Sequence, residues 1–211
     1  MIPSVAVLLF GDRPTPRPLT GLPTHPTDDL TSIDLDLYRR LLVVGTDADL
    51  AAVLTRLLRA ERLDVEVAYI SRRRTTATRA YQLPAGRRAV RRARRGSARR
   101  VPLIRDETGS VIVGRARWLP PENAQSVHGE ALVDDAVLFD GDVAEVWVEP
   151  TLALPGLRAA LRAGPWRRWI SGRAAQLGTT GVTVVRDGVP AARTARRSTF
   201  YRNVEGWLLV R

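Results

Sequence analysis

The stretch from Leu41 to Ile70, LLVVGTDADLAAVLTRLLRAERLDVEVAYI, constrains the fold more than any other part of the chain. Leu41 to Val44 is a continuous apolar run, the pattern of a strand buried on both faces. Gly45 follows, where a tight turn needs a permissive backbone. Thr46 or Asp47 can then cap a helix with a side-chain oxygen. Leu50, Val53, Leu54, Leu57 and Leu58 recur at helical spacing and make one apolar stripe. Val65 to Ile70 is rich in strand formers again. A strand–helix–strand unit of this length predicts a parallel sheet with a right-handed crossover. Ligands of such sheets sit beyond the carboxyl ends of the strands, so Gly45 to Asp49 is the first place to look for function.

Composition excludes several chemistries. The chain has 211 residues, room for one large domain or two small ones, and an ordinary apolar share of 45%. It has no Cys, so disulfides and thiolate metal sites are out. Its two histidines, His25 and His128, cannot build a three-histidine zinc site or a His-Glu-x-x-His motif. All 33 basic residues are Arg, which removes the P-loop lysine and any Schiff-base or general-base lysine. GC-rich coding alone produces such a bias, so a high Arg count does not by itself mark function. No apolar run approaches the roughly 20 residues of a membrane span. The N-terminal run IPSVAVLLF lacks the flanks of a signal peptide. The expectation is a soluble, cytoplasmic protein able to lie peripherally at a membrane.

Along the chain, Ser4 to Phe10 reads as a first strand, and the proline-rich Arg13 to Thr31 as a long loop. Ile33 to Arg40 reads as a short helix. The texture then changes. Ser71 to Arg100 holds 12 Arg and no acidic residue, against a net charge of +11 for the whole chain. Ala85 to Arg95 reads as a helix with a thin apolar stripe of Ala89, Val90 and Ala93. Its Arg87, Arg88, Arg91, Arg92, Arg94 and Arg95 repel one another and call for a counter-charge or solvent. Guanidinium groups bind phosphate oxygens bidentately, which suits an anionic membrane surface. Nucleic acid is the weaker fit, because Tyr81 is the one aromatic residue in the segment. A solvated basic face explains the same residues without any ligand.

From Val101 onward the pattern is short strands and turns. Val101 to Arg105 and Ser110 to Trp118 flank a hairpin signal at Asp106 to Gly109. Further strands read as Glu130–Asp134, Val137–Phe139, Val143–Glu149, Trp169–Leu177, Val182–Arg186 and Trp207–Val210. Asp140-Gly141 and Asp187-Gly188 read as turns, and Leu157 to Arg162 as a short helix. Turn chemistry accounts for the acidic group Asp134-Asp135 and Asp140 to Asp142, and His128 has no acidic partner evident in sequence. The fold class expected is α/β plus β. A small parallel-sheet domain spans residues 1–104, and an antiparallel β-sandwich-like domain spans 105–211, its last strand able to return to the first domain.

Three features define the candidate site. Gly45-Thr46-Asp47-Ala48-Asp49 follows an apolar strand and opens a helix, where backbone N–H groups can meet phosphate. Asp47 and Asp49 are hard ligands that could hold Mg²⁺ through water, or simply capping residues of a strand-to-helix turn. After Ile70 comes Ser71-Arg72-Arg73-Arg74-Thr75-Thr76-Ala77-Thr78-Arg79, then Gln82-Leu83-Pro84, and the β-rich half carries Asp187-Gly188.

In this arrangement the chain resembles a divergent diacylglycerol kinase or related lipid kinase, of the superfamily that includes NAD kinases. That family has a Gly-Gly-Asp-Gly-Thr nucleotide loop at the place of Gly45 to Asp49. It then has Pro-Leu-Gly-Thr-x-Asn-Asp-Phe-Ala-Arg followed by Gly-Leu-Pro, of which Arg79 and Leu83-Pro84 match. Thr46 and Ala48 replace loop glycines, Thr75 and Thr76 stand where the Asn-Asp pair would be, and Val189 replaces the Glu after Asp187-Gly188. The resemblance implies transfer of the γ-phosphoryl of ATP, with Mg²⁺, to a lipid hydroxyl. Gly45, Thr46 and Asp49 would line the nucleotide site, Asp47 would be the catalytic and metal-orienting carboxylate, and Arg79 would hold phosphate or headgroup. No residue can be placed as the general base. The alternative is a catalytically inactive kinase-like scaffold that binds anionic ligands or a protein partner.

Overall fold

In the computed structural model of the chain, which describes residues 5–11, 13–27, 30, 33–34, 37–162 and 168–211, the apolar runs of the first half become strands of one sheet. Strands β1 (Val5–Leu9), β2 (Thr24–Pro26) and β3 (Arg40–Val44) lead into helix α1 (Asp47–Arg59) and β4 (Glu66–Ile70). Helices α2 (Thr76–Ala80) and α3 (Arg87–Arg95) follow, then β5 (Ala98–Val101). Next come β6 (Ile104–Asp106), β7 (Val111–Ile112), β8 (Ala116–Leu119), β9 (Val127–Val133) and β10 (Ala136–Val143). They are followed by β11 (Val146–Pro150), β12 (Leu157–Leu161), β13 (Ile170–Gly172), β14 (Ala174–Arg186), β15 (Val189–Pro190) and β16 (Ala195–Arg202). The chain ends on β17 (Trp207–Val210). It divides into two compact units, Met1–Val101 with Glu205–Arg211, and Pro102–Val204.

The first unit is built on a sheet of order β2-β1-β3-β4-β17-β5. β1, β2, β3, β4 and β17 run parallel, and β5 pairs antiparallel with β17. Leu41, Leu42 and Val43 are fully buried, as expected of a strand covered on both faces. α1 buries Leu50, Ala51, Val53, Leu54 and Leu57, the stripe that its spacing predicts. On α3, Ala89, Val90 and Ala93 join a core cluster with Leu42, Val44, Ala68 and Val210. Leu9, Val44 and Ile70 are in register at the carboxyl ends of three adjacent strands, which brings the turns after them side by side.

The second unit is antiparallel. Its eight-strand path runs β13-β12-β11-β8-β14-β16-β6-β7, with β9 and β15 also on β14 and β10 on β9. The long β14 pairs with β9 and β16 through its first half and with β8 through its last residues. Both groups of strands contribute to one core that includes Trp118, Val146, Leu157, Leu177, Val184 and Phe200. The indole N–H of Trp118 donates to Ser198 Oγ at 3.0 Å, which satisfies this buried ring. Among the described residues, no helix is long and apolar enough to cross a membrane.

Several local expectations are corrected. Residues Arg13 to Thr31 are not wholly loop, since Thr24–Pro26 pairs in parallel with β1 at the edge of the sheet, where a proline is tolerated. The helix expected over Ile33–Arg40 falls partly outside the described residues, and Arg40 itself begins β3. Leu157 to Leu161 is strand, because pairing with β11 and β13 overrides the helix preference of its alanines. Asp140-Gly141 lies within β10 opposite Glu130 and Gly129, and the hairpin turns at Asp134-Asp135 instead. The strand expected from Val182 to Arg186 is the end of β14, continuous with Ala174 and interrupted only by a register shift after Gly178.

β17 enters the first sheet through a narrow gap. A Cβ on Gly206 would lie 2.1 Å from the carbonyl oxygen of Val101, so only glycine fits. Gly206→Ala is expected to destabilise the protein by about 1–3 kcal/mol, the range for overpacking. Chemical denaturation measures this, and an unchanged midpoint would show that β17 does not approach β5 so closely.

Candidate functional site

The turn after β3 is closed by its own side chains. Gly45 is buried and its N–H donates to Ile70 O at 3.4 Å. A Cβ there would lie 2.6 Å from Asp49 Oδ2, which explains the glycine. Thr46 caps α1 with extended backbone, φ −94° and ψ 175°. Its Oγ accepts the Asp49 N–H at 3.3 Å, and Asp49 Oδ2 accepts the Thr46 N–H at 2.7 Å and the Thr46 hydroxyl at 2.8 Å. This reciprocal box satisfies two of the amides that a helix start leaves open. Arg13 stands 4.0 Å from the same Asp49 oxygen.

Asp47 is the first residue of α1, and both its carboxylate oxygens are engaged. Oδ1 accepts the Tyr69 hydroxyl at 2.8 Å, and Oδ2 accepts the backbone N–H of Ala77 at 3.0 Å. Tyr69 sits on β4, and Ala77 is in the first turn of α2. One carboxylate therefore links α1, β4 and α2. Burial, then the charge and hydrogen bond of Asp47, push the Tyr69 phenol far above its ordinary range, so it remains a neutral donor. Thr75 caps α2, accepting the Thr78 N–H at 3.1 Å while its own N–H donates to Thr78 Oγ at 2.7 Å. Thr75 and Thr76 thus serve as the cap and first residue of that helix.

The chemical capacity of the turn follows from this bonding. The N–H groups of Asp47 and Ala48 have no partner among the described residues. Both lie in a first turn that already carries two carboxylates, Asp47 and Asp49, which offset the positive end of the helix. An incoming phosphate meets like charge there. Among the described residues, no group of three or more His, Asp or Glu is placed to hold a metal ion. Arg79 is exposed on α2 and makes no ion pair among the described residues.

The six arginines expected to bind anions lie on α3 and divide by face. Arg88, Arg91, Arg92 and Arg95 follow i, i+3, i+4, i+7 spacing and line a cleft of about 690 Å³. Arg74, Gln82, Leu83, Pro84 and Gly96 complete the lining, while Arg87 and Arg94 are not part of it. Two contributors escaped the sequence reading. Tyr69 is hidden in an apolar strand, and Arg74 reaches the cleft only because the chain reverses between α2 and α3, with Gln82 at φ 53° and Gly86 at φ 62°. The spacing of the other four was visible in sequence.

In the second unit, Asp187 accepts the N–H groups of Val113, Gly114 and Arg115 at 2.7–2.9 Å, which fixes the turn before β8. Val189 beside it is exposed. His128 does have an acidic partner, Asp142 at 3.3 Å, on an exposed surface. The Ser126 hydroxyl, and after it His128, hold the Asp142 carboxyl below its usual range. Asp134 sits in the hairpin turn with φ 50°, and its carboxylate accepts the N–H groups of Arg173 and Ala174 from a neighbouring segment at 2.9 Å.

No protein-family model and no curated protein matches the chain. Solved structures do match its fold. A diacylglycerol kinase from Bacillus anthracis str. Sterne is similar with a TM-score of 0.70 and 10% identity, over 99% of this chain and 96% of that one. An NAD kinase from Archaeoglobus fulgidus in complex with ATP gives a TM-score of 0.67 and 13% identity, over 98% and 93%. The chain has the NAD kinase and diacylglycerol kinase-like fold.

Asp47→Asn tests the carboxylate link. An amide can offer its one oxygen to Tyr69 or to Ala77 N–H, and its NH₂ then faces the other donor. The variant is expected to lose about 1–3 kcal/mol, the cost of a buried group left without its charged partner. Tyr69→Phe removes one bond and is expected to lose about 1 kcal/mol. Denaturation curves of both measure this; wild-type stability in Asp47→Asn would show that the carboxylate does not hold the three elements together.

Proposed function

We propose that this chain is a catalytically inactive kinase-like scaffold that binds an anionic ligand through its arginine-rich segment. The observation that carries the reading is the engagement of both Asp47 oxygens, by Tyr69 and by the Ala77 N–H. Phosphoryl transfer depends on positioning and on neutralising charge at the phosphoryl oxygens. A carboxylate that does this must be turned toward a metal ion or its water. Here the loop's two carboxylates fasten the protein to itself, and Thr46 and Ala48 carry side chains where close backbone approach needs glycine. These features count against ATP with Mg²⁺ binding at this turn as the resemblance implies. The anion-binding half rests on the uninterrupted positive charge from Ser71 to Arg100 and the cleft it lines.

The second reading is Mg²⁺- and ATP-dependent phosphorylation of a lipid hydroxyl. The likeness of fold to a diacylglycerol kinase, and to an NAD kinase holding ATP, favours it. In that case Gly45, Thr46, Asp49 and Arg79 serve the nucleotide, Asp47 serves the metal, and a lipid is the second substrate.

Calorimetry with ATP, with and without Mg²⁺, separates the two when paired with phosphate transfer to a panel of diacylglycerols and sphingoid bases. The expected result is no ATP binding in the micromolar range and no transfer above background. Transfer that falls on the order of 100-fold in Asp47→Asn, the scale for a lost electrostatic group, would overturn the proposal and restore the enzyme.

A further inference from the structure

The geometry points to the cleft between α3 and the Gln82–Pro84 turn as a binding site for a compact, multiply phosphorylated small molecule without an aromatic base. This deepens the scaffold reading above by giving its anionic ligand a place and a chemical class. None of the residues lining the cleft belongs to the Gly45–Asp49 turn.

The first argument is pairing. Arginine is abundant throughout the chain, so its number alone means little. Its partners mean more. Arg40 pairs with Glu66, Arg62 with Asp64, Arg100 with Glu205, and Arg186 with the buried Asp106. Arg117 and Arg162 share Glu145, and Arg115 and Arg158 share Glu149. The cleft differs. Arg74, Arg88, Arg91, Arg92 and Arg95 are exposed, and among the described residues none has a carboxylate within ion-pair distance. A compositional bias explains many arginines, but not why five unpaired ones converge on one concave place.

The second argument is mutual repulsion. Arg88 and Arg92, and Arg91 and Arg95, are four residues apart on one helix face, where like charges destabilise a helix. Arg87 and Arg88 also place positive charge in the first turn, against the helix dipole. The apolar stripe of Ala89, Val90 and Ala93 holds α3 on the sheet despite this, so the basic stripe is presented on a fixed backbone. A polyanion in the cleft would relieve the repulsion, and each guanidinium can donate two parallel bonds to a phosphate.

The third argument is shape and lining. About 690 Å³ suits a small molecule, and a concave site gathers its charges more tightly than a flat bilayer surface requires. Among the described residues no aromatic one lines the cleft, so a nucleobase has nothing there to stack on. Gln82 offers an amide to a hydroxyl, and Leu83 and Pro84 offer a short apolar edge. A phosphorylated polyol, free or as a lipid headgroup, meets these conditions.

The test uses the full chain, inositol hexakisphosphate as probe, and two double variants of equal charge. Arg91→Gln with Arg95→Gln removes two cleft arginines. Arg87→Gln with Arg94→Gln removes two from the same helix that do not line it. Calorimetry at physiological salt is expected to show the cleft pair weakening the probe by on the order of 100-fold, about tenfold per bidentate contact, and the other pair by less than about threefold. Melting curves of both variants check that α3 persists, and Arg74→Gln repeats the test from outside the helix. Equal weakening by the two pairs, or no probe binding by the native chain, overturns the site. So does a nucleic-acid oligonucleotide that binds more tightly than the probe and is affected equally by both pairs. Vesicles then distinguish the sources. A cleft-dependent split with polyphosphoinositide vesicles, absent with phosphatidylserine vesicles, identifies a headgroup; a split with the soluble probe alone identifies a free ligand. Lipid phosphorylation would remove the inactive-scaffold reading without touching this comparison, which reports on the cleft alone.

Discussion

The carboxylate of Asp47 is the contact on which the candidate site depends. It sits just beyond the carboxyl ends of β3 and β4, where an open parallel sheet gathers its loops. By accepting from Tyr69 and from the Ala77 N–H it satisfies a buried phenol and an open amide at the start of a five-residue helix. α2 is too short to be stable on its own and needs such an anchor. The same two oxygens would be the ones to face a metal. A group that completes the packing of three elements is poorly placed to reorient toward a ligand, because turning away leaves the Ala77 N–H without its acceptor and Tyr69 with the longer contact to Gly45 O at 3.4 Å.

What could be read from the chain alone follows from how local the responsible interactions are. The β3–α1–β4 unit was visible because a continuous apolar run and a helical stripe each complete themselves within a few residues. A cap at Thr46 or Asp47 is legible for the same reason, while the reciprocal bonding of Thr46 with Asp49 comes from the structure. The engagement of Asp47 was not, since its partners lie 22 and 30 residues away in sequence. β12 was misread because an alanine-rich segment has helical preference and only its neighbours β11 and β13 make it strand. Asp140-Gly141 looked like a turn because turn dipeptides are judged locally, whereas its place within β10 is decided by β9 across the ladder.

The basic segment shows the opposite relation between composition and structure. In the sequence, 12 arginines in 30 residues are ambiguous, because the whole chain prefers Arg over Lys. Folding separates them by neighbourhood. Several of those in the antiparallel unit stand over acidic residues or aromatic rings: Arg115 lies 3.6 Å from the ring centre of Trp147 while bonded to Glu149, and Arg158 lies 4.2 Å from that of Trp169. Burial alone would raise the Glu145 carboxyl, but its bonds to Arg117 and Trp147 and the charges of Arg117 and Arg162 hold it below the usual range. Such arginines serve the fold. The cleft arginines have no ion-pair partner among the described residues and are exposed instead.

α3 shows how one short helix can meet two demands. Helix geometry puts residues 89, 90 and 93 on one side and 88, 91, 92 and 95 on another. Attachment to the sheet is settled entirely by the first side, through small apolar residues that pack closely against Ala68 and Val210. The second side is then released from any part in the core, and its residues are limited only by how much repulsion the attachment withstands. Each like-charge pair at this spacing costs a few tenths of a kcal/mol, a sum below what burial of the apolar stripe and its sheet contacts supplies. A helix held this way can carry a dense charge that would unfold it in isolation. The charge is also aimed, because the backbone beneath it cannot move away. At the start of α1 the carboxylates of Asp47 and Asp49 are turned back onto the protein, whereas the arginines on the side of α3 face outward.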